Sequence, residues 1–537
     1  MSAKQKVIPI ANMGPPIKVR DAMQKSADIL DKRASPEIVV AFMGAVGCGL
    51  PRIITECDSK LIKLGYRVIR IKLSEFIKLK IKSGDITIPS NEANIKYLAN
   101  QTGGNHLRKN YGNEVLAKFA ISQITRNRLV IDQEAKQLDR EPPRVAYLID
   151  QIKHPDEIML LRMVFRNLFY MIGVMSTQEN RKSRLADEGT PRGQIEDIIH
   201  RDRKESIDYG QQLEKAFKLA DYFIHHPLGD ASLIPAQLDR FLNLIHGSNK
   251  ITPTKHEHAM YIAYSTALKS SCMSRQVGAT ITDKTGRIVA VGTNDVPQYG
   301  GGLYSNDSAV DDRCFNARGV CENDAQKNLR RQKIETGIAT EINKIFQDTQ
   351  MRNIATSKIK ELADAVYAQS GIGDLIEFSR AVHAEMDALI SLSRGGGGST
   401  IGANLYSTTF PCHNCARHIV AAGIEKVYYI EPYEKSLAPD AHSDSIVVLD
   451  HDLEPVESNS IHKVKFIHFS GVGPRLYPEL FLRNSRKDGQ GKLVDFSLTP
   501  QTPPLKIIKE YIDSYRAFEI KISAMFDEEF PVNEDRL

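Results

Sequence analysis

Two short stretches of the sequence bring together side chains that bind a metal ion and move protons. The first is His383-Ala384-Glu385, and the second is Pro411-Cys412-His413-Asn414-Cys415. One imidazole and two thiolates suit Zn²⁺, and three protein ligands leave a fourth position for water, as catalytic zinc sites do. Cys412 and Cys415 lie three residues apart, so a helix places both on one face. The pattern predicts a catalytic zinc site with ligands His383, Cys412 and Cys415.

Glu385 follows the histidine by two residues, where it can face the bound water without becoming a ligand. Zinc lowers the pKa of its bound water from 15.7 towards about 7. We expect Glu385 to be the catalytic residue that passes protons from that water to the ring nitrogen of a nucleobase. His-x-Glu with Pro-Cys-x-x-Cys is typical of zinc deaminases. The alternatives are a structural zinc site, which needs a fourth protein ligand, and a redox cysteine pair, which has no use for His-x-Glu.

The elements that must position these residues follow an alternating pattern of strands and helices. Apolar runs predict strands at Gly278–Thr282, Ile288–Gly292, Asn404–Thr408 and Lys426–Ile430. Helical periodicity predicts helices at His256–Ser270, Ala381–Arg394 and His413–Ala422. Residues 299–375 interrupt the pattern and are predicted to be an insertion.

The first half of the chain shows a second α/β pattern with more strands. Buried strands are predicted at Ile38–Met43, Tyr66–Leu73, Val145–Ile149, Leu168–Val174 and Asp221–Ile224. Helix-like segments lie between them, and strands that alternate with helices favour a parallel sheet covered on both faces.

A glycine-rich loop follows the first of these strands and precedes a helix, as a phosphate-binding P-loop does. Gly44, Gly47 and Gly49 would let main-chain N–H groups approach a phosphate at the helix N-terminus. Leu50 and Pro51 stand where the lysine and the magnesium-binding hydroxyl of a P-loop belong. We therefore expect nucleotide binding without catalysis, or else a turn whose glycines serve close helix–strand packing.

Asp150 follows the strand Val145–Ile149, which gives it the place of a Walker B aspartate. It is predicted to join the three loop glycines in nucleotide binding. The alternative is that it caps a helix or a turn.

Around the zinc motif the chain resembles the deoxycytidylate deaminase branch of the cytidine deaminase superfamily. The stretches that carry the likeness, between about residues 260 and 430, are Ser274–Ala279, Gly292–Pro297, Ala381–Glu385 and Thr409–Cys412. The resemblance implies that Asn294 binds the sugar or base of the substrate and that Arg275 meets a phosphate. The alternatives are a turn residue at Asn294 and a solvated surface charge at Arg275.

The whole chain resembles a narrower family, the bacterial anti-phage dCTP deaminases, which join a P-loop-like domain to a deaminase domain. Further stretches that carry this likeness are Ile149–Pro155, Ser436–Ser445 and Gly471–Phe481. The resemblance implies hydrolytic deamination of free dCTP and dCMP to dUTP and dUMP with release of ammonia, which depletes dCTP during infection. It also implies a homo-oligomer in the cytoplasm, with a nucleotide or small RNA as inhibitor at the regulatory domain.

Length and composition agree with an enzyme of several domains. At 537 residues the chain exceeds what one core usually holds. We predict a flexible tail at 1–35, a degenerate P-loop NTPase-like parallel-sheet domain at 36–248, and a cytidine deaminase-like α/β/α sandwich at 249–537. No apolar run approaches the roughly 20 residues of a membrane helix.

Two other functions share part of this pattern. A deaminase of cytosine or adenine within RNA or DNA uses the same zinc motif on an extruded base, but it usually needs a basic channel and aromatic stacking platforms. Here the net charge is only +5, aromatic residues make up 7% of the chain, and tryptophan is absent. A nucleotide-sensing scaffold without turnover would have no use for Glu385.

Overall fold

The computed structural model describes residues 35–139, 143–203, 207–227, 232–346, 348–395, 397–433, 436–451, 462–482, 486–494, 496–502 and 512–531. The predicted tail, residues 1–35, lies outside this part of the chain apart from Ser35. Two six-stranded sheets, in both of which parallel pairing predominates, organise the described residues. The fold is therefore mixed α/β, as the alternating patterns predict.

The first sheet has the strand order β12-β5-β4-β1-β3-β2, and β1 to β5 run parallel. These five strands are Ile38–Gly44 (β1), Arg67–Lys72 (β2), Val145–Asp150 (β3), Phe169–Met175 (β4) and Tyr222–His225 (β5). Every residue of β1 is buried, because helices cover both faces of the sheet. All five strands predicted from the sequence are confirmed, each to within one residue at its ends.

Helices connect these strands and cover the first sheet. They are Leu50–Lys63 (α1), Leu73–Lys82 (α2), Ser90–Ala93 (α3), Lys96–Tyr111 (α4), Val115–Gln137 (α5), Pro155–Phe165 (α6), Gln178–Asp187 (α7), Arg192–Arg203 (α8), Leu213–Phe217 (α9) and Leu233–Ile245 (α10). We call β1 to β5 with these helices the first unit.

The second sheet has the order β10-β11-β9-β8-β6-β7, with β6 antiparallel to both of its neighbours. Its strands are Gly278–Thr282 (β6), Ile288–Thr293 (β7), Asn404–Thr409 (β8), Lys426–Glu431 (β9), Ile446–Leu449 (β10) and Val464–His468 (β11). Its helices are Lys255–Ala267 (α11), Glu322–Ile345 (α12), Thr349–Ser357 (α13), Ile359–Gln369 (α14), Ala384–Gly395 (α15), His413–Ala421 (α16) and Ala438–Ala441 (α17). We call this group the second unit.

The second sheet lies between two layers of helices. On one face Met260 and Ala263 of α11 pack with Tyr406 and Tyr428. On the other face α15 and α16 bury Ala388 and Ile419 among side chains of β6, β8 and β9. The predicted insertion, residues 299–375, contains α12, α13 and α14.

The last part of the chain returns to the first unit. Gly471–Val472 (β12) follows β11 after two residues and pairs antiparallel with β5. Tyr477–Phe481 (α18) comes next, and Ile512–Glu529 (α19) packs along α5, where Glu519 pairs with the buried Arg128. Residues from both sides of position 248 build the first sheet, since β12 joins β1 to β5. The predicted domain boundary at residue 248 stays a prediction.

Buried contacts join the two units into one continuous core. Phe223 of β5 and Phe469, just after β11, lie with ring centroids 5.8 Å apart. The buried Glu257 of α11 accepts a hydrogen bond from the Val472 N–H at 2.9 Å, and Asp450 accepts one from the Thr177 N–H at the start of α7. Among the described residues, no helix has the length and apolar character needed to cross a membrane.

Candidate active site

The three predicted zinc ligands lie together. The Nδ1 atom of His383 is 3.3 Å from the Cys412 sulfur and 3.4 Å from the Cys415 sulfur. All three ligand atoms lie within 4.8 Å of one another, and no second group of this kind exists among the described residues. One imidazole nitrogen and two sulfurs at this spacing fit a zinc ion whose fourth position takes water.

Local structure presents each ligand at the start of a helix. Cys412 is the N-cap residue of α16, and Cys415 lies in the first turn of that helix. His383 immediately precedes α15, and the N–H of its neighbour Val382 donates to the Asp295 carbonyl at 2.9 Å. This bridge ends the loop after the insertion and fixes where α15 begins, which is three residues later than the sequence pattern predicts.

The approach of α15 to β7 depends on Gly292. A Cβ atom at this position would lie 2.2 Å from the Ala384 carbonyl oxygen and 2.3 Å from the Ala388 nitrogen, both main-chain atoms of α15. Real Cβ contacts are never that short, so only glycine permits this spacing between helix and strand. Since His383 and Glu385 lie at the N-terminal end of α15, Gly292 sets their position.

Glu385 faces the ligand group from the first turn of α15. Its side chain is buried, and its Oε2 atom lies 3.5 Å from the Cys415 sulfur. Burial, followed by the neighbouring Cys412, raises the pKa of this carboxyl above its usual range. A raised pKa makes a carboxyl group hold a proton more readily, which suits it to the proton transfers of general acid–base catalysis.

A cavity of about 280 Å³ opens above these residues. His383, Glu385 and Cys412 line its inner end, and Arg275, Asn294 and Tyr433 line another part of its wall. Residues of the insertion also reach it, among them Asp324 and Lys327 of α12. The arrangement places a metal-binding group and a buried carboxyl group together at the wall of a small-molecule cavity.

Comparison with known proteins agrees with this geometry. The sequence profile of the cytidine and deoxycytidylate deaminase zinc-binding region matches residues 253–431. The deoxycytidylate deaminase of Enterobacteria phage T4 is 31% identical over 182 residues, which are 34% of this chain and 80% of the phage protein. The phage T2 enzyme is 30% identical over 182 residues, with 34% and 82% covered.

This chain belongs to the deoxycytidylate deaminase family. Its cofactor is Zn²⁺, since the matched region is a zinc-binding one and contains the His383, Cys412 and Cys415 group. A crystal structure of the dCMP deaminase from cyanophage S-TIM5 aligns with 41% of this chain and 100% of that protein, at 18% identity and a TM-score of 0.21.

Asn294 is one of the two predicted substrate contacts in this deoxycytidylate deaminase family member. Both polar atoms of its side chain form hydrogen bonds with the main chain. Its Oδ1 accepts from the Val277 N–H at 2.7 Å, and its Nδ2 donates to the Arg275 carbonyl at 2.8 Å. It therefore holds the loop before β6 in shape while lining the cavity. Its contact with a substrate stays a prediction.

Arg275 lies between two carboxylates at the cavity wall. Its guanidinium is 3.4 Å from Glu214 and 3.7 Å from Glu431, and it lies 5.4 Å from the ring centre of Tyr433. Glu214 belongs to α9 of the first unit, so no local pattern near the deaminase motif signals it. The predicted role of Arg275 as a phosphate contact stays a prediction, and the structure adds that both carboxylates compete for the same guanidinium.

The glycine-rich loop in the first unit packs tightly against its surroundings. Gly47 and Gly49 have φ values of 81° and 77°, which side chains other than glycine rarely adopt. A Cβ atom on Gly49 would lie 2.1 Å from the His226 ring, and one on Gly44 would lie 2.3 Å from the Cys48 sulfur. Close packing by itself accounts for these glycines, and nucleotide binding by the loop stays a prediction.

A buried carboxylate contacts this loop. Asp202 of α8 accepts a hydrogen bond from the Val46 N–H at 2.7 Å and pairs with the Lys153 ammonium at 2.6 Å. Lys153 also donates to the Gly44 carbonyl at 2.8 Å. A phosphate bound by Val46 and Lys153 would have to displace Asp202 from its two contacts.

A second cavity, of about 730 Å³, lies beside the loop. The loop glycines Gly47 and Gly49, Asp150 and Lys153 all line it. Burial raises the pKa of the Asp150 carboxyl above its usual range, and nearby lysines partly offset the effect. The predicted nucleotide-binding residues Gly47, Gly49 and Asp150 thus share one concave surface, with Gly44 at the end of β1 beside it.

Proposed function

We propose that this chain is a zinc-dependent hydrolytic deaminase of free cytosine deoxynucleotides, converting dCMP and dCTP to dUMP and dUTP with release of ammonia. The observation that carries the proposal is the buried Glu385 beside the His383, Cys412 and Cys415 group at the inner end of a cavity. The names of the phage T4 and T2 relatives support deoxycytidylate as a substrate.

We assign the chemical roles from this geometry. His383, Cys412 and Cys415 hold the zinc, which when bound supplies an activated water by lowering its pKa to about 7. Glu385 accepts a proton from the attacking water and delivers it to the ring nitrogen of cytosine as the water oxygen bonds to C4. It then carries the remaining proton of that oxygen to the amine, whose bond to C4 breaks as ammonia leaves. Burial suits Glu385 to this shuttle because its raised pKa makes both protonation states accessible.

Arg275 and Asn294 bind the remainder of the substrate in this proposal. Arg275 is the phosphate contact, because its guanidinium lines the cavity and 40% of its side chain is exposed. Asn294 contacts the sugar or base from the cavity wall while its amide group stabilises the loop before β6. A cavity with two long cationic side chains, Arg275 and Lys327, and two aromatic ones, Phe410 and Tyr433, suits a single nucleotide better than a strand with stacked bases.

We propose a regulatory role for residues 36–248, with a deaminase domain at 249–537. A nucleotide or small RNA would bind at the loop of Gly44, Gly47 and Gly49 with Asp150, and its binding would release or restrain the deaminase. The cavity beside the loop and the Lys153 ammonium support an anionic ligand. The buried contacts of Glu257 and Asp450 across the two units provide a path between that ligand and the catalytic unit.

The biological role that we propose is depletion of cytoplasmic dCTP as a defence against phage, by an enzyme that works as a homo-oligomer. The support is the resemblance of the whole chain to anti-phage dCTP deaminases, which includes Ile149–Pro155 before α6 and Gly471–Phe481 around β12. Nucleotide pools measured before and after expression should show a selective loss of cytosine deoxynucleotides and a rise of uracil forms.

Mass spectrometry of purified zinc-loaded enzyme with dCTP, dCMP, CTP and a cytosine oligonucleotide tests the substrate class. We expect a mass gain from amine-to-carbonyl exchange in dCTP and dCMP, with stoichiometric ammonia. Deamination of the oligonucleotide alone would replace the proposal with the alternative, an enzyme that acts on bases within RNA or DNA. Zinc-loaded protein that changes none of the four compounds would indicate a nucleotide-sensing scaffold.

A further inference from the structure

Glu214 is the part of the first unit that reaches the deaminase cavity beside Arg275. Its Oε1 atom lies 3.4 Å from the Arg275 guanidinium, and only 8% of its side chain is exposed. Glu214 and Arg275 both line the cavity that contains Glu385. The ion pair therefore joins the two units at the wall of the proposed active site.

A second carboxylate approaches the same guanidinium from within the second unit. Glu431, at the end of β9, lies 3.7 Å from Arg275, and 14% of its side chain is exposed. Thr409 donates to Glu431 at 3.1 Å, and burial raises the pKa of the Glu431 carboxyl. One guanidinium thus faces two carboxyl groups before any phosphate arrives.

A phosphate carries about one and a half to two negative charges at neutral pH. If it approaches Arg275 while Glu214 holds the other side of the guanidinium, the two anions repel each other in a partly buried space where water screens little. The affinity for a phosphorylated substrate must then depend on how closely Glu214 engages Arg275. A nucleoside without phosphate does not meet this repulsion.

We propose that Glu214 is a positioning residue which competes with the phosphate of the substrate for Arg275 and thereby sets the affinity for phosphorylated substrates. The inference rests on the proposed deamination of cytosine deoxynucleotides. It makes the first unit a direct contributor to substrate selection, since Glu214 is the residue of α9 that touches Arg275.

Main-chain contacts connect Glu214 to the glycine-rich loop. Glu214 lies in the first turn of α9, and the N–H of Gln212, two residues before it, donates to the Lys153 carbonyl at 3.1 Å. The ammonium of the same Lys153 binds Asp202 and the Gly44 carbonyl. A chain of contacts therefore runs from the glycine-rich loop through Lys153 to the first turn of α9, which carries Glu214.

Steady-state kinetics of the zinc-loaded Glu214→Gln variant tests this role. We expect KM for dCMP and dCTP to fall about three- to tenfold, with kcat unchanged and with turnover of deoxycytidine altered less than about twofold. Glu92→Gln is the matched control, because Glu92 is a similarly buried carboxylate that pairs with Arg201 at a distance of 2.7 Å and lines neither cavity. This control variant should leave KM and kcat unchanged for dCMP, dCTP and deoxycytidine.

A double-mutant cycle with Arg275→Ala separates competition from a structural effect. In the Arg275→Ala background, Glu214→Gln should lower KM for dCMP less than it does when Arg275 is present, because no guanidinium is left to compete for and only the direct repulsion between carboxylate and phosphate remains. An undiminished change there, an equal change for deoxycytidine, or no change of KM in the single variant would each overturn the inference. Glu214→Asp, with zinc content and melting temperature checked, serves if Glu214→Gln folds poorly, and a smaller fall in KM is expected. Wild-type enzyme that deaminates none of these substrates would instead overturn the proposed function.

Discussion

At the scale of single residues, the proposed chemistry depends on which groups lie beside the zinc ligands. The carboxylate of Glu385 contacts this group through the Cys415 sulfur at 3.5 Å. It is not needed as a ligand, because His383 and the two cysteines already supply three donors. The loss of Glu385 should therefore affect proton transfer and leave metal binding intact.

Replacing Glu385 with glutamine should preserve stoichiometric zinc and reduce kcat for dCMP by about 10²- to 10⁴-fold, the usual contribution of a general acid–base group. Ammonia release and metal analysis of the same preparation measure the two properties together. Cys415→Ala is the contrasting variant and should lose zinc as well as activity. Unchanged turnover in Glu385→Gln would exclude the proposed proton shuttle.

At the scale of elements, Gly292 fixes α15 against β7, and a single added methyl group tests that contact. In Gly292→Ala the new Cβ would meet main-chain atoms of α15 at 2.2 and 2.3 Å, so the helix must move. We expect a loss of about 1–3 kcal/mol in the free energy of unfolding and a fall of about 10²-fold in activity as Glu385 shifts.

Gly337→Ala on the exposed helix α12 is the matched control for this substitution. A Cβ atom there has no neighbour within 4 Å, and alanine in a helix interior stabilises by about 1 kcal/mol relative to glycine. Thermal unfolding and dCMP turnover should show a neutral or stabilising effect with full activity. If Gly292→Ala behaves in the same way, α15 does not depend on this contact.

A second element, α8, places Asp202 against the glycine-rich loop. There the Asp202 carboxylate accepts a hydrogen bond from the Val46 N–H and pairs with the Lys153 ammonium. Asp202→Ala should lower the melting temperature, because it leaves Lys153 without its buried partner. Pyrophosphate should then restore part of that loss by binding at the vacated contacts. Asp197→Ala, on the exposed face of the same helix, should show no added response to pyrophosphate. An equal response of both variants would contradict anion binding at the loop.

At the scale of the whole molecule, two buried histidines lie where the sheets meet. His225 ends β5 of the first sheet and His468 ends β11 of the second, and both are nearly inaccessible to solvent. Burial lowers the pKa of His225 to about 4 and that of His468 to about 3. The neighbouring His451 further lowers the pKa of His225, and His225 further lowers that of His468. The folded state therefore keeps both rings neutral under mildly acidic conditions.

This arrangement predicts acid-induced loss of stability. Above about pH 6.5 both rings are neutral in the folded and unfolded chains. As the pH falls from there towards 4, the unfolded chain binds protons that the folded chain excludes, so each histidine lowers the free energy of unfolding by up to about 1.4 kcal/mol per pH unit. Urea unfolding between pH 7.5 and 5 should show a shallower pH dependence for His468→Phe than for wild type. His200→Gln is the control at an exposed position. It should leave the dependence of the unfolding free energy on pH as it is in the wild type.

Local patterns in the sequence predicted much of this architecture. The five strands of the first unit and the strands and helices around the zinc motif were correct because apolar periodicity reflects burial within each element. The start of α15 differed by three residues because the bridge between Val382 and Asp295 joins positions far apart in the chain. Such long-range pairing leaves no trace in a local window.

By itself, the sequence determined the zinc-binding group and the two α/β patterns and pointed to Glu385 as the proposed proton carrier, because these depend on residue type and on spacings within one or two turns of helix. Only the tertiary structure decided that Glu214 meets Arg275, that Asp202 binds the glycine-rich loop and that β12 joins the first sheet. Those contacts link residues dozens to hundreds of positions apart. Their partners are selected by how whole helices and strands pack, which no short pattern encodes.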